Sequence, residues 1–337
     1  MIRTALTAAL FSLTAACGGQ AQDADADPAP VTDMTVSAER LVLFPDDPGR
    51  IRVGDLRFTG GLVLTSDHER FGGWSALLLD PQSDALDLAL LSDRGTLAYG
   101  QVRLDEAGHP VALSLDRMEP LTGLDGAPLE GAAADAEGLA IYSDTQLAIS
   151  FERDHRIWVY EHSSPLQAEA LVLPPRTQGV GNNAGLEGLA TDDAHLWASV
   201  EYPIRGEETH TLWRYTLADL EAAPTEFQLA LDPDYGITSL ESDSAGGLYL
   251  MQRFYRRGVG NRIRILHLTA DQIAASDEAA LEPALMAELT EDMTVDNFEG
   301  MAVAEINGEL RLFLISDDNF NESQRTLLLS FAIEPRD

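Results

Sequence analysis

The chain has no lysine: all 22 basic residues are arginines, set against 56 acidic ones in 337 residues. That excludes a Schiff-base lysine, a P-loop lysine and a lysine general base. A formal net charge of −34 would repel phosphate backbones, so no nucleic-acid partner is expected. The single cysteine, Cys17, excludes a disulfide framework and leaves no thiolate chemistry for the folded part. The seven histidines are scattered, with none at i, i+2 or i, i+4 of another, so the usual zinc spacing is missing. Helical periodicity is nearly absent too, and residues 271–287 are the one stretch that reads as a helix. A hydrophobic content of 45% is nevertheless enough for an ordinary core, so the acidity does not signal disorder.

Residues 1–16 read as an export signal. Arg3 supplies the charge, and Leu6, Leu10, Phe11 and Leu13 form an apolar centre too short to cross a bilayer as a helix. The stretch ends in Leu13-Thr14-Ala15-Ala16-Cys17, which resembles a bacterial lipoprotein cleavage box. Cys17 would then be the lipidated first residue, and residues 17–37, rich in Ala, Asp, Pro and Gln, a disordered tether. Residues 38–337 make the single folded domain. The expected location is the bacterial cell envelope, facing the periplasm. The membrane is engaged only through the lipid, since no later segment is long and apolar enough to span it. A monomer is expected.

What the chain does contain is an internal repeat. Its copies open at Gly73-Trp74-Ser75-Ala76-Leu77, Glu137-Gly138-Leu139-Ala140, Glu187-Gly188-Leu189-Ala190, Thr238-Ser239-Leu240-Glu241 and Glu299-Gly300-Met301-Ala302. Each runs through an apolar strand to a polar cluster containing, in turn, Asp93-Arg94, Glu152-Arg153, Glu201, Arg253 and Asp317-Asp318, and then to a third strand. The copies start roughly 50 to 65 residues apart, the signature of an all-β propeller with three or four strands per blade. Five copies are clear. Residues 39–65 hold further strand-like runs, either the strand that closes the ring with 327–333 or a degenerate sixth blade, and six blades are the expectation.

Propeller geometry gives the repeat its chemical meaning. The innermost strand of each blade runs along the axis, so its first residue comes to the axis once per blade. Ser75, Glu137, Glu187, Ser239 and Glu299 therefore form a ring, and the glycine after each glutamate lets the backbones crowd there. The second strand runs antiparallel, so its end returns to the same mouth and brings Asp93, Arg94, Glu152, Arg153, Glu201, Arg253, Asp317 and Asp318. Crowded carboxylates must pair with arginine, take a proton or hold a cation. Oxygen ligands without a histidine pair favour Ca²⁺, with Mg²⁺ as the other hard choice. The arginines offer forks for a phosphate or carboxylate. Ser75 lacks the second glycine of a nucleophile elbow and sits in a repeat, so no Ser/His/Asp triad is read there.

Leu91-Ser92-Asp93-Arg94-Gly95, Ala136-Glu137-Gly138-Leu139-Ala140, Leu186-Glu187-Gly188-Leu189-Ala190, Asn297-Phe298-Glu299-Gly300-Met301-Ala302 and Ile315-Ser316-Asp317-Asp318-Asn319, in that order, resemble the phytase-like family. Its members are often described as having the esterase-like activity of phytase. The resemblance runs over about residues 60–333 and implies an exported β-propeller whose recurring Glu and Asp form the catalytic set. One expectation is a hydrolase of a small anionic or ester substrate, an ester or phosphoester, assisted by Ca²⁺. Glu137, Glu187 and Glu299 would hold the cation or act as bases, Asp93, Glu152, Asp317 and Asp318 would complete the coordination, and Asp93 and Asp317 would also belong to the catalytic set. Arg94, Arg153, Arg253 and Glu201 would bind substrate. The alternatives are a non-catalytic propeller that binds a ligand or protein at the same mouth, and a gluconolactonase-like lactonase.

Overall fold

The computed structural model describes residues 31–82, 85–162, 166–170, 179–220, 222–276 and 279–334. The export signal, Cys17 and the first part of the expected tether lie outside the described residues. The rest forms five antiparallel sheets, each built outward from an inner strand. Blade 1 comprises Trp74–Pro81, Ala85–Ser92, Thr96–Leu104 and Pro110–Pro120. Blade 2 is Ala136–Ser143, Gln146–Phe151, Arg156–Glu161 and Ala168–Ala170, and blade 3 is Leu186–Thr191, His195–Val200, His210–Thr216 and Thr225–Leu229. Blade 4 is Gly236–Ser242, Leu248–Arg256, Gly260–Leu268 and Ala284–Leu289. Blade 5 takes Asn297–Ile306, Glu309–Asp317 and Thr326–Ile333 from the C-terminal end of the chain. The inner strands lie against one another in order, and the last lies against the first, so the ring is closed.

The structure has five blades, not six. The strand Leu56–Thr65 does not begin a blade but pairs antiparallel with Thr326–Ile333, as the fourth strand of blade 5. Ser37–Arg40 pairs outside it. Val31–Met34, inside the stretch expected to be tether, pairs with Pro110–Pro120 at the edge of blade 1. The N-terminal part of the chain thus joins the first blade to the last. Arg57 strengthens the seam, with Nε 3.0 Å from Glu334 and Nη2 2.6 Å from Glu309.

Five apolar clusters fill the spaces between successive blades. One holds Trp74, Leu88, Phe313 and Ile315 between blades 5 and 1, and another holds Ile157, Leu186, Leu196 and Trp213 between blades 2 and 3. Each sheet is therefore covered on both faces. That is why strands such as Ala85–Ser92 are nearly continuous apolar runs rather than clean alternations. The expected helix over 271–287 shrinks to Ala270–Ala274, capped by Thr269 with Gln272 closing a capping box. Pro283 cannot continue a helix interior, and the residues just after it form the outer strand of blade 4.

Candidate functional site

The inner strand of every blade carries a β-bulge at the same place. Pairing with the second strand skips one residue between Trp74 and Ala76, Ala136 and Gly138, Leu186 and Gly188, Ile237 and Ser239, and Phe298 and Gly300. The skipped residues are Ser75, Glu137, Glu187, Thr238 and Glu299. A bulge re-aims a side chain out of the normal alternation, and here it does so once per blade. The blade 4 member is therefore Thr238, not the expected Ser239. Ser239 occupies the glycine position instead, where its Oγ accepts from Met301 N of blade 5 at 3.2 Å. The glycines serve inter-blade contact: a Cβ on Gly300 would stand 2.9 Å from Ala76 Cα in blade 1. Gly300→Ala is accordingly expected to cost about 1–3 kcal/mol in urea unfolding; wild-type stability would refute the crowding argument.

A second ring follows from the ends of the second strands. Asp93, Glu152 and Glu201 donate their backbone N–H groups to Gly73, Asp135 and Gly185, and Arg253 and Asp317 pair with Gly236 and Asn297. These five residues are register equivalents, so Asp93, Glu152, Glu201, Arg253 and Asp317 circle the mouth. The residues opposite them add two site members that sequence reasoning missed, Asp135 and Asn297. Both stand two positions before a ring glutamate, and that recurring offset was the available signal.

Two regions differ in chemistry. In blades 2 and 3, carboxylate oxygens of Asp135, Glu137 and Glu152 lie within 4.8 Å of one another, and so do those of Glu152, Glu187 and Glu201. Glu152 belongs to both groups, and its Oε1 accepts from Gly185 N at 3.0 Å. Burial holds the carboxyls of Glu137 and Glu187 well above their ordinary range, reinforced by Glu299 beside the first and Glu201 beside the second. Glu201 is pushed up to about 7 by burial, although Arg253 pulls the other way. An all-oxygen donor set this buried and this crowded suits a hard cation.

Blades 5 and 1 hold the other region. Burial, and then the charge of Glu299, raises Asp317 to about 8. Burial raises Asp93 to about 6 despite Arg94. Asn297 bridges two acids, Nδ2 donating to Glu299 at 2.8 Å and to Asp317 at 3.2 Å. Arg253 stands between the regions, 3.6 Å from Glu201 and 3.5 Å from Glu299. Burial works against its charge, but Glu299, Glu201 and Glu187 outweigh that and hold the guanidinium protonated. Its Nη2 is thus paired with the ring.

The remaining sequence-predicted residues fall at the rim. Arg153 Nε is 2.9 Å from Asp135. Arg94 is exposed, its guanidinium 3.4 Å above the Phe320 ring. Asp318, an expected ligand, is in neither three-carboxylate group, and its oxygens already accept hydrogen bonds within the fold. They accept from Gly73 N and Phe320 N, each at 3.0 Å, and from Thr326 Oγ1 at 2.9 Å, latching blade 5 to blade 1. Ser75 is buried, its hydroxyl 3.5 Å from the carbonyl of Gly73.

Residues 69–320 match the sequence model described as "Phytase-like: Esterase-like activity of phytase". The chain belongs to the phytase-like family. The match takes in every inner strand and both rings of this phytase-like chain, about three-quarters of its length. No curated protein matches the sequence. The fold is similar to that of a thermostable family-43 glycoside hydrolase, at 11% identity and TM-score 0.45 over 81% of this chain and 98% of that one. It is also similar to a putative gluconolactonase, at 13% identity and TM-score 0.44 over 89% and 94% of the two chains. A gluconolactonase from Xanthomonas campestris is similar at 13% identity and TM-score 0.41, over 91% and 98%. Likenesses this distant carry nothing about substrate.

Proposed function

We propose that the protein hydrolyses an ester or phosphoester with the help of a divalent cation, Ca²⁺ in preference to Mg²⁺. The observation that carries this reading is the pair of three-carboxylate groups sharing Glu152; Asp317 belongs to the ring around the same mouth, and burial and the charge of Glu299 favour its protonated form. Asp135, Glu137, Glu152, Glu187 and Glu201 would hold the cation. A cation there would supply Lewis-acid polarisation of the substrate oxygen. Asp317, protonated at neutral pH, would give its proton to the departing alcohol. Asn297 would fix the orientation of Asp317, and Glu299, partly ionised near neutral pH, would accept the proton of the attacking water. Arg253 would keep Glu201 and Glu299 in place, while Arg94 and Arg153 at the rim meet the substrate's charge. The protein would work at the cell envelope, held by lipid on Cys17.

The cation is tested by thermal melting. Adding Ca²⁺ to EDTA-stripped protein is expected to raise the melting temperature by several degrees, because ligand that binds only the folded state stabilises it by mass action. Hydrolysis of p-nitrophenyl acetate and p-nitrophenyl phosphate is then expected in wild type and to fall by about a hundredfold or more in Glu187→Gln. A melting curve indifferent to both EDTA and Ca²⁺ sinks the cation. A cation response without hydrolysis of any ester favours the ligand-binding reading.

A further inference from the structure

Blade 4 carries a charge pattern that the rest of the chain does not share. Residues 244–270 contain no Asp or Glu, the longest such stretch in a chain with 56 acids. The same stretch holds Arg253, Arg256, Arg257, Arg262 and Arg264. All but Arg257 lie on the paired strands Leu248–Arg256 and Gly260–Leu268, and Arg257 lies in the turn between them. In blades 1 and 2 the equivalent strands stop pairing just before the ring residue, at Ser92 with Thr96 and at Phe151 with Arg156. In blade 4 pairing continues past Arg253 through Phe254 with Arg262 and Tyr255 with Asn261 to Arg256 with Gly260. Three further residues of extended chain carry the hairpin about 10 Å beyond the ring.

The hairpin is braced on the loops that lead into two inner strands. The Phe254 ring stacks on Tyr235 with centroids 5.2 Å apart, and the Arg264 guanidinium lies 3.7 Å from the centroid of the same Tyr235 ring. Arg256 reaches Asp234 at 3.4 Å, and Arg262 reaches Glu291 at 3.9 Å. Tyr235 immediately precedes the inner strand of blade 4, and Glu291 lies in the loop before that of blade 5. Both loops belong to the mouth, so the hairpin stands there as well. The strand alternation puts Tyr255 on the same face as Arg253, whose guanidinium points to Glu201 and Glu299. Tyr255 is 62% exposed, the one aromatic among the exposed large apolar side chains of the described residues. Arg257 is exposed and has no hydrogen-bond, ion-pair or ring partner among the described residues. The Arg256 pair with Asp234 is exposed on both sides and screened by solvent.

We propose that this hairpin is a cationic arm that captures an anionic substrate, Arg257 and Arg256 binding a phosphate or carboxylate group and Tyr255 giving a stacking face beside it. The inference rests on the hydrolase reading for its catalytic consequence and narrows the substrate to anionic esters. The physical need is plain: an anion approaching a chain of net charge −34 meets a repulsive potential. An acid-free arm with an unpaired arginine gives it a local way in. Arg253 sits deeper, with its Nη2 paired to Glu201 and Glu299, so the arm meets the anion first.

The test is calorimetric titration of phenylphosphonate into Ca²⁺-loaded wild type, Arg257→Gln and the Arg256→Gln/Arg257→Gln double variant, at low and high salt. Wild type is expected to bind at low salt and the double variant about tenfold more weakly, the worth of a lost charged hydrogen bond. Arg257→Gln falls between, and the gap narrows at high salt. The ratio of kcat/KM for p-nitrophenyl phosphate to that for p-nitrophenyl acetate is expected to fall by a similar factor. Equal affinity in all three proteins, or no binding by wild type, overturns the arm. Binding that depends on the arginines in a protein that hydrolyses neither ester supports the arm and sinks the hydrolase reading. Arg257 makes no contact that folding would miss, so Arg257→Gln is expected to melt with wild type.

Discussion

The cation-free protein is expected to be more stable near pH 5 than near pH 8. Asp317 rises from 3.8 to about 8 on folding, Glu299 and Glu201 rise from 4.5 to about 7, and Asp93 rises from 3.8 to about 6. Burial is the leading cause in each, so the folded state keeps protons that the unfolded chain has already released. Where the folded state binds more protons, stability falls as pH rises. The loss therefore begins above the unfolded values near 4 and continues until the folded values near 8 are passed. A tenfold change in one group's proton affinity corresponds to about 1.4 kcal/mol, so four such carboxyls together lose several kcal/mol across that range. Ca²⁺ should flatten or reverse the slope, because it binds the ionised carboxylates. Urea unfolding at the two pH values, with EDTA and with Ca²⁺, measures both. Equal stability at both pH values in EDTA would mean that the ring carboxyls are solvated rather than crowded.

Glu152→Gln is expected to weaken cation binding by about a hundredfold, and ester hydrolysis with it, because one side chain serves both carboxylate groups. The fold should survive. Glutamine keeps the oxygen that accepts from Gly185 N. The substitution also removes one charge from a crowded buried set, so the EDTA-treated variant should melt no lower than EDTA-treated wild type at pH 8, and higher if repulsion dominates. This opposite movement of stability and affinity separates a site residue from a structural one. A variant that melts lower without cation yet binds Ca²⁺ as wild type does would show Glu152 to be a strut.

The glutamates of the ring were legible in the sequence because the motif repeats and propeller geometry brings each repeat to one axis. The second ring is legible as well, since antiparallel strands return to the face they left. The blade 4 member is not. Thr238 and Ser239 differ by one position, and only the register around the bulge shows which residue is skipped. Asp135 and Asn297 were passed over because each stands just outside the recurring Glu-Gly unit, while backbone pairing sets them opposite Glu152 and Asp317. Arg253 was legible as a mouth residue but not as an occupied one, because its two partners come from neighbouring blades, Glu201 from blade 3 and Glu299 from blade 5.

The blade count shows the same limit. Residues 39–65 have the composition of a blade's strands, and composition cannot say which strand will be their neighbour. The choice was made by the exposed edge of Thr326–Ile333, whose backbone groups needed partners and found them in Leu56–Thr65. The sequence by itself determined the class of fold, the five repeated units, the lack of lysine, and the acids that recur. The tertiary structure alone decided how many blades close the ring, which residue each bulge turns inward, and which charges meet. Those are contacts between segments distant in the chain, and a local pattern does not carry them.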